Sequence, residues 1–181
     1  MGQPGLTQAQ AGFLPRSESA FKALAGGVAR VWCEDFSGTP LIGLHGDLGA
    51  GKTTWVRGML EGLGYAGRVP SPTYTLLEHY TLPQLDVIHL DLYRLGGTAG
   101  DADARGELET LGLRDWLARE RCWVLVEWPE RSSDLLARCD ILIDLSLDGA
   151  AEARRVDCHG RSVLGRRLVE RLQGLPELAS S

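Results

Sequence analysis

Residues 46–54 read Gly-Asp-Leu-Gly-Ala-Gly-Lys-Thr-Thr, and this stretch decides the fold class. It contains the full pattern G-x-x-x-x-G-K-[ST] of phosphate-binding loops. The apolar run "PLIGLH" at residues 40–45 predicts a buried strand before it, and the apolar spacing of residues 55–63 predicts a helix after it. The strand, loop and helix that the motif requires therefore occur in the right order.

The residue types of this loop suit the binding of a nucleoside triphosphate. Glycines allow backbone angles and close approaches that a Cβ would forbid, so consecutive N–H groups can surround phosphate oxygens at the start of a helix. Lys52 is one of only two lysines among 19 basic residues, and its compact ammonium can reach the β- and γ-phosphates, while Thr53 supplies a hydroxyl for Mg²⁺. We therefore expect ATP and Mg²⁺ as cofactors, with nucleotide contacts from Asp47, Leu48, Gly49, Ala50, Gly51, Lys52, Thr53 and Thr54.

Length, composition and charge limit the class of protein. The 181 residues suffice for one core, so we expect a single domain over 17–173 between flexible tails at 1–16 and 174–181. No stretch approaches the roughly 20 apolar residues that span a bilayer, which predicts a cytoplasmic protein without a membrane partner. A net charge of -5 argues against direct binding of nucleic acid. The four cysteines form no C-x-x-C pair, which favours buried thiols over a metal site.

Helical and extended patterns alternate along the rest of the chain, which is typical of α/β proteins. We predict a P-loop NTPase-like three-layer sandwich around a mixed sheet of about six or seven strands, with an antiparallel hairpin turning near residues 81–84. Further helices are predicted over residues 17–32, 107–120 and 161–174, and further strands over 85–95, 122–128, 140–147 and 153–159.

Two acidic residues end apolar strands and compete as the carboxylate that fixes the metal. Asp91 follows "VIHL" and Glu127 follows "WVLV", so each emerges at the edge of the sheet where ligands collect. Periodicity does not choose between them, and either could instead cap a local group. His89 shares a strand face with Asp91, as a partner of the site or as a core residue. Thr73 either responds to the γ-phosphate or its metal, or lies in a rigid turn that Pro70 and Pro72 stiffen.

Five motifs in order resemble the TsaE (YjeE) family, the ATPase component of bacterial tRNA threonylcarbamoyladenosine (t6A) biosynthesis: "GDLGAGKTT", "VPSPTYTLLEHY", "HLDLYRL", "ELETLGL" and "VEWPER". The similarity covers roughly residues 17–158. It implies that Lys52, Asp91 and Glu127 are catalytic, that Thr53, Asp91 and Glu127 hold the metal, and that Thr73 and Trp128 contact the nucleotide.

The same resemblance implies a function in tRNA modification. The protein would hydrolyse ATP, slowly when alone, and would be required for threonylcarbamoylation of adenosine 37 in tRNAs that read codons beginning with A. It would act with TsaD and TsaB to reset their complex, and would meet tRNA only through that complex. Two alternatives use the same loop: a small-molecule kinase, with Arg105, Arg114, Arg119 and Arg121 where a lid could lie, and a regulatory nucleotide-binding module without useful hydrolysis.

Overall fold

A computed structural model describes residues 9–34, 38–96, 106, 108–149 and 152–175. Its centre is a seven-stranded sheet in the order β1-β7-β6-β2-β5-β4-β3. The strands are β1 (Gln10–Phe13), β2 (Leu41–His45), β3 (Leu77–Thr81), β4 (Asp86–Asp91), β5 (Cys122–Glu127), β6 (Ile141–Leu147) and β7 (Arg154–Gly160). The helices are α1 (Glu18–Glu34), α2 (Lys52–Gly62), α3 (Leu113–Leu117), α4 (Ser133–Arg138) and α5 (Val163–Glu170).

The middle of the sheet is parallel and its two sides are antiparallel. Strands β6, β2, β5 and β4 run in one direction, whereas β3 pairs antiparallel with β4. On the other side β7 pairs antiparallel with β6, and β1 with β7. The predicted mixed sheet and its hairpin are confirmed, and the fold is P-loop NTPase-like. The carboxyl ends of β2, β4 and β5 therefore meet at one edge.

Two hydrophobic clusters cover the two faces of the sheet, as a three-layer arrangement requires. The larger cluster joins α1, α2 and α5 to one face through residues such as Phe21, Met59 and Val169. The smaller cluster lies on the other face and includes Leu113 of α3 and Leu135 of α4. Strand β5 is buried along its whole length because its side chains alternate between the two clusters. No helix in the described part of the chain is long and apolar enough to cross a membrane.

Three segments differ from the sequence prediction. Gln10–Phe13, which we assigned to a flexible tail over residues 1–16, forms β1 because the outer edge of β7 offers it backbone partners. The helix predicted over residues 107–120 is described as helical at 108–110 and at Leu113–Leu117, separated by Gly112 with a φ of 68°. Helix α4 was not predicted from the sequence. Ser132 caps it by accepting a hydrogen bond from the Leu135 N–H. Residues 1–8 and 176–181 of the two predicted tails, and Arg105, lie outside the described residues.

Candidate functional site

The loop between β2 and α2 has a backbone that only glycine accommodates at two positions. Gly46 has a φ of 142°, and a Cβ there would lie 2.2 Å from the carbonyl oxygen of Leu145 on β6. Gly51 has a φ of 103° and precedes α2 without a side-chain cap. The first N–H groups of a helix have no carbonyl partner within it, so an uncapped start beside such a loop suits the oxygens of a phosphate.

Lys52 lies folded across this loop. Its side chain is only 5% exposed, and Nζ donates hydrogen bonds to the carbonyl oxygens of Gly46 at 2.5 Å and Asp47 at 2.9 Å. The ammonium also lies 3.5 Å from the centre of the Trp128 ring. Burial lowers the pKa of Lys52, and the nearby Glu127 carboxylate opposes this change. The cation is held by neutral acceptors that phosphate oxygens can replace.

Glu127 ends β5 and receives two hydrogen bonds on the same oxygen. The Thr53 hydroxyl donates to Glu127 Oε1 at 2.8 Å, and His89 Nε2 lies 2.8 Å from that oxygen. Glu127 is 3% exposed and His89 is fully buried. One carboxylate oxygen thus joins the second residue of α2, the end of β5 and the middle of β4.

Asp91 ends β4 and connects the site to the loop before β3. Its Oδ2 accepts hydrogen bonds from the hydroxyls of Ser71 at 3.2 Å and Thr73 at 2.8 Å, and its Oδ1 accepts one from the Tyr93 N–H at 2.9 Å. The register of the parallel strands places Asp91 directly beside Glu127. The two acids that the sequence treats as competitors are therefore neighbours.

Trp128 closes the side of the loop that faces these acids. It has left-handed backbone angles, φ 59° and ψ 49°, which are uncommon for a residue with a bulky side chain. Its ring contacts that of Tyr93, with ring centres 5.1 Å apart, as well as the Lys52 ammonium. Unusual backbone conformations of this kind concentrate at functional sites.

Most of the predicted site residues come together at this edge of the sheet. Hydrogen bonds, strand register and a cation–π contact bring together six of them: Lys52, Thr53, Thr73, Asp91, Glu127 and Trp128. Thr54 follows in α2, while Asp47, Leu48 and Gly49 form the exposed tip of the loop and Ala50 is buried beneath it. Two contributors were not among the predicted ligands: Ser71, whose hydroxyl bonds Asp91, and His89, whose position two residues before Asp91 was the only sequence clue.

The donor set fits Mg²⁺ bound together with a nucleotide. Within the ranges that the structure describes, no group of three His, Cys, Asp or Glu side chains could hold a metal ion by itself. Magnesium is commonly bound through one or two carboxylates plus the phosphates of a substrate. Thr53, Glu127 and Asp91 offer that partial set, and their roles as ligands remain predictions.

The fold and the loop define a P-loop NTPase-like protein. A structural neighbour, the YdiB protein of Bacillus subtilis, superposes with a TM-score of 0.68 at 23% identity, covering 92% of this chain and 96% of that one. The family model "Threonylcarbamoyl adenosine biosynthesis protein TsaE" matches residues 16–156. The chain belongs to the TsaE family, and the predicted family is confirmed.

Individual relatives carry the same name. A tRNA threonylcarbamoyladenosine biosynthesis protein TsaE from Haemophilus influenzae is 41% identical over 129 residues, which is 71% of this chain and 75% of the relative. Another from Synechocystis is 38% identical over 104 residues, 52% of this chain and 57% of the relative. The TsaE family acts in t6A biosynthesis, so membership places this chain in tRNA modification.

Proposed function

We propose that the protein is a Mg²⁺-dependent ATPase that acts with TsaB and TsaD in the threonylcarbamoylation of tRNA adenosine 37 and resets their complex between cycles. The observation that supports this proposal most directly is the set of contacts that joins the loop to two strand-end acids: Thr53 to Glu127, and Asp91 beside Glu127. In phosphate-loop enzymes the same elements hold the metal and the transferred phosphoryl group. The family membership favours a role in t6A biosynthesis over the kinase alternative.

Each residue has a separate task in this proposal. The backbone N–H groups from Gly49 to Thr54 hold phosphate oxygens, and Lys52 exchanges its carbonyl partners for them. Thr53 with Asp91 and Glu127 would hold Mg²⁺, which when bound neutralises charge that develops on the phosphates. Thr73 connects this centre to the 71–73 loop, because its hydroxyl bonds the Asp91 carboxylate. A change at Asp91 can therefore move that loop.

The isolated protein should hydrolyse ATP slowly. An arginine supplied by a partner can accelerate phosphoryl transfer by about 10³–10⁵-fold. Arg94, at the end of the "DLYR" segment, lies with its guanidinium carbon 5.4 Å from the centre of the exposed Tyr74 ring. Two other arginines lie beside the loop and Trp128: a Cβ on Gly51 would be 3.1 Å from Arg154 Nε, and the guanidinium carbon of Arg131 is 5.8 Å from the centre of the Trp128 ring. We assign completion of the site to the assembly of the complex, in the cytoplasm, with tRNA meeting the partners.

Steady-state phosphate release at fixed ATP and Mg²⁺ tests this proposal. We expect slow release by the protein alone and an acceleration of at least about tenfold with TsaB and TsaD, with about 10³–10⁵-fold as the full effect that a supplied arginine can give. Asp91→Asn in the same assay should bind nucleotide but show no acceleration. A fast isolated enzyme indifferent to both partners, or phosphoryl transfer to a small hydroxyl acceptor, would refute the proposal.

A further inference from the structure

His89 occupies a core position where an apolar residue would pack more simply. It is fully buried and lies between Ile88 and Leu90 of β4, which are also buried. Across the sheet it pairs in register with Leu125 of β5. Its imidazole reaches diagonally from there to Glu127, two residues further along β5, with Nε2 2.8 Å from Oε1. Among the described residues, its one hydrogen-bond partner is thus a carboxylate of the proposed catalytic centre.

The hydrogen bonding of the imidazole fixes its direction. The Glu127 carboxylate only accepts, so the proton of the contact belongs to His89 Nε2, which donates. Nδ1 is buried and has no hydrogen-bond partner among the described residues. A proton on Nδ1 would leave a buried donor unsatisfied, which costs more than an unused ring nitrogen lone pair. Donation from Nε2 therefore fits this environment.

Two donors then hold the same carboxylate oxygen. Thr53 donates its hydroxyl to Glu127 Oε1 at 2.8 Å, and His89 donates from the opposite element, β4. In the proposed function the Thr53 hydroxyl also serves the metal, so its bond to Glu127 depends on what the loop holds. The His89 bond comes from the core and does not depend on what the loop holds.

We infer that His89 is a positioning residue for Glu127, a donor from the core that fixes the carboxylate for ATP hydrolysis. The inference rests on the proposed ATPase function. Removal of groups that orient a ligand or catalytic side chain commonly reduces activity by about 10- to 100-fold. The effect should appear in turnover, because the hydrogen bond of His89 goes to Glu127, whereas those of Lys52 go to the phosphate loop.

Kinetics of matched variants test the inference. We expect His89→Leu to lower kcat by about 10- to 100-fold with a change in nucleotide Kd below about threefold. His89→Gln, whose Nε2–H₂ can donate from a similar position, should recover most of the lost turnover. His79→Leu is the control, because His79 on β3 also pairs with a carboxylate at 2.9 Å, that of Asp86, which starts β4 at the end away from Asp91.

A double mutant separates positioning from packing. In the Glu127→Gln background, His89→Leu should cost less than about threefold in the remaining turnover, since the carboxylate it positions is already gone. An equal loss in both backgrounds, or no recovery in a folded His89→Gln variant, would overturn the inference.

Imidazole NMR of the nucleotide-free protein gives a readout independent of activity. The nitrogen shifts of His89 should show a protonated Nε2 and an unprotonated Nδ1, and the opposite tautomer would overturn the inference. If the wild-type chain does not hydrolyse ATP with TsaB and TsaD present, the proposed function is wrong. The tautomer then tests only whether His89 donates a hydrogen bond to Glu127.

Discussion

A single lysine in an arginine-rich chain shows how residue identity follows from geometry. Lys52 is nearly buried, and its ammonium fits between two carbonyl oxygens and the face of Trp128. A planar guanidinium has a different shape and a fixed fork of donors, which the narrow loop does not match. The chain's other lysine, Lys22, makes an ordinary surface ion pair with Glu61 at 2.8 Å. The two lysines therefore form a natural pair for comparison.

At this scale we predict that Lys52→Ala weakens ATP binding at least about tenfold, since the charge-assisted hydrogen bonds to phosphate are lost. The fold should survive, because Lys52 is not itself a member of either hydrophobic cluster. Calorimetric titration with ATP and thermal unfolding measure the two effects. Lys22→Ala is the control and should bind ATP like the wild type. A folded Lys52→Ala protein with unchanged ATP affinity would show that the loop does not hold phosphate.

The sequence predicts some of these residues and leaves others open for a physical reason. Lys52 and Thr53 lie within one contiguous motif, so local spacing is sufficient to find them. Asp91 and Glu127 lie on different strands, and the register that makes them neighbours depends on how β4 and β5 pair. The double hydrogen bond on Glu127 Oε1 likewise joins three separate elements. Such contacts follow from tertiary structure, which periodicity along the chain does not contain.

At the scale of elements, glycines set the distance between α1 and α2. A Cβ on Gly62 would lie 2.3 Å from the Cα of Gly26 and 2.5 Å from its carbonyl oxygen. A Cβ on Gly58 would lie 2.6 Å from the carbonyl oxygen of Lys22. The two helix backbones therefore touch beside Gly58 and Gly62, where a larger residue would not fit.

We predict that Gly62→Ala destabilises the protein by about 1–3 kcal/mol, as overpacking of a close contact does. For a chain of this size the melting temperature should fall by about 2–4 °C per kcal/mol. Gly106→Ala is the control, because a Cβ at that helical glycine meets no atom within 4 Å and alanine favours helix. Equal melting temperatures for Gly62→Ala and Gly106→Ala would mean that the helices can separate without cost.

Elements with strong local patterns are predicted well, and those formed by their surroundings are not. The apolar runs of β2, β5 and β6 and the cap-and-period pattern of α1 are confirmed. Strand β1, "QAGF", has four residues and no clear alternation, and it becomes a strand only because β7 presents an open edge. Helix α4 has six residues, too few for periodicity to distinguish.

At the scale of the whole molecule, the buried thiols lie on both faces of the sheet. Cys158 belongs to the larger hydrophobic cluster, and Cys122 and Cys139 belong to the smaller one. Burial raises the pKa of Cys158 to about 12 and those of Cys122 and Cys139 to about 11. Only the thiolate reacts with common reagents, so these groups are protected by exclusion and by protonation together. Cys33 is half-buried and is the most accessible of the four.

We predict that at about pH 8 a thiol reagent modifies native Cys33 first and the three buried thiols only as the protein unfolds. The two clusters share strand β5, so all three should become reactive at one denaturant concentration, the midpoint at which helical circular dichroism is lost. A Cys33→Ser variant removes the early reaction and serves as the control. Because the folded pKa values are raised, the thiols contribute stability below an ordinary pKa of about 9, and this is lost as pH rises toward 11–12. Separate midpoints for Cys158 and for Cys122 with Cys139 would instead show that the two faces unfold independently.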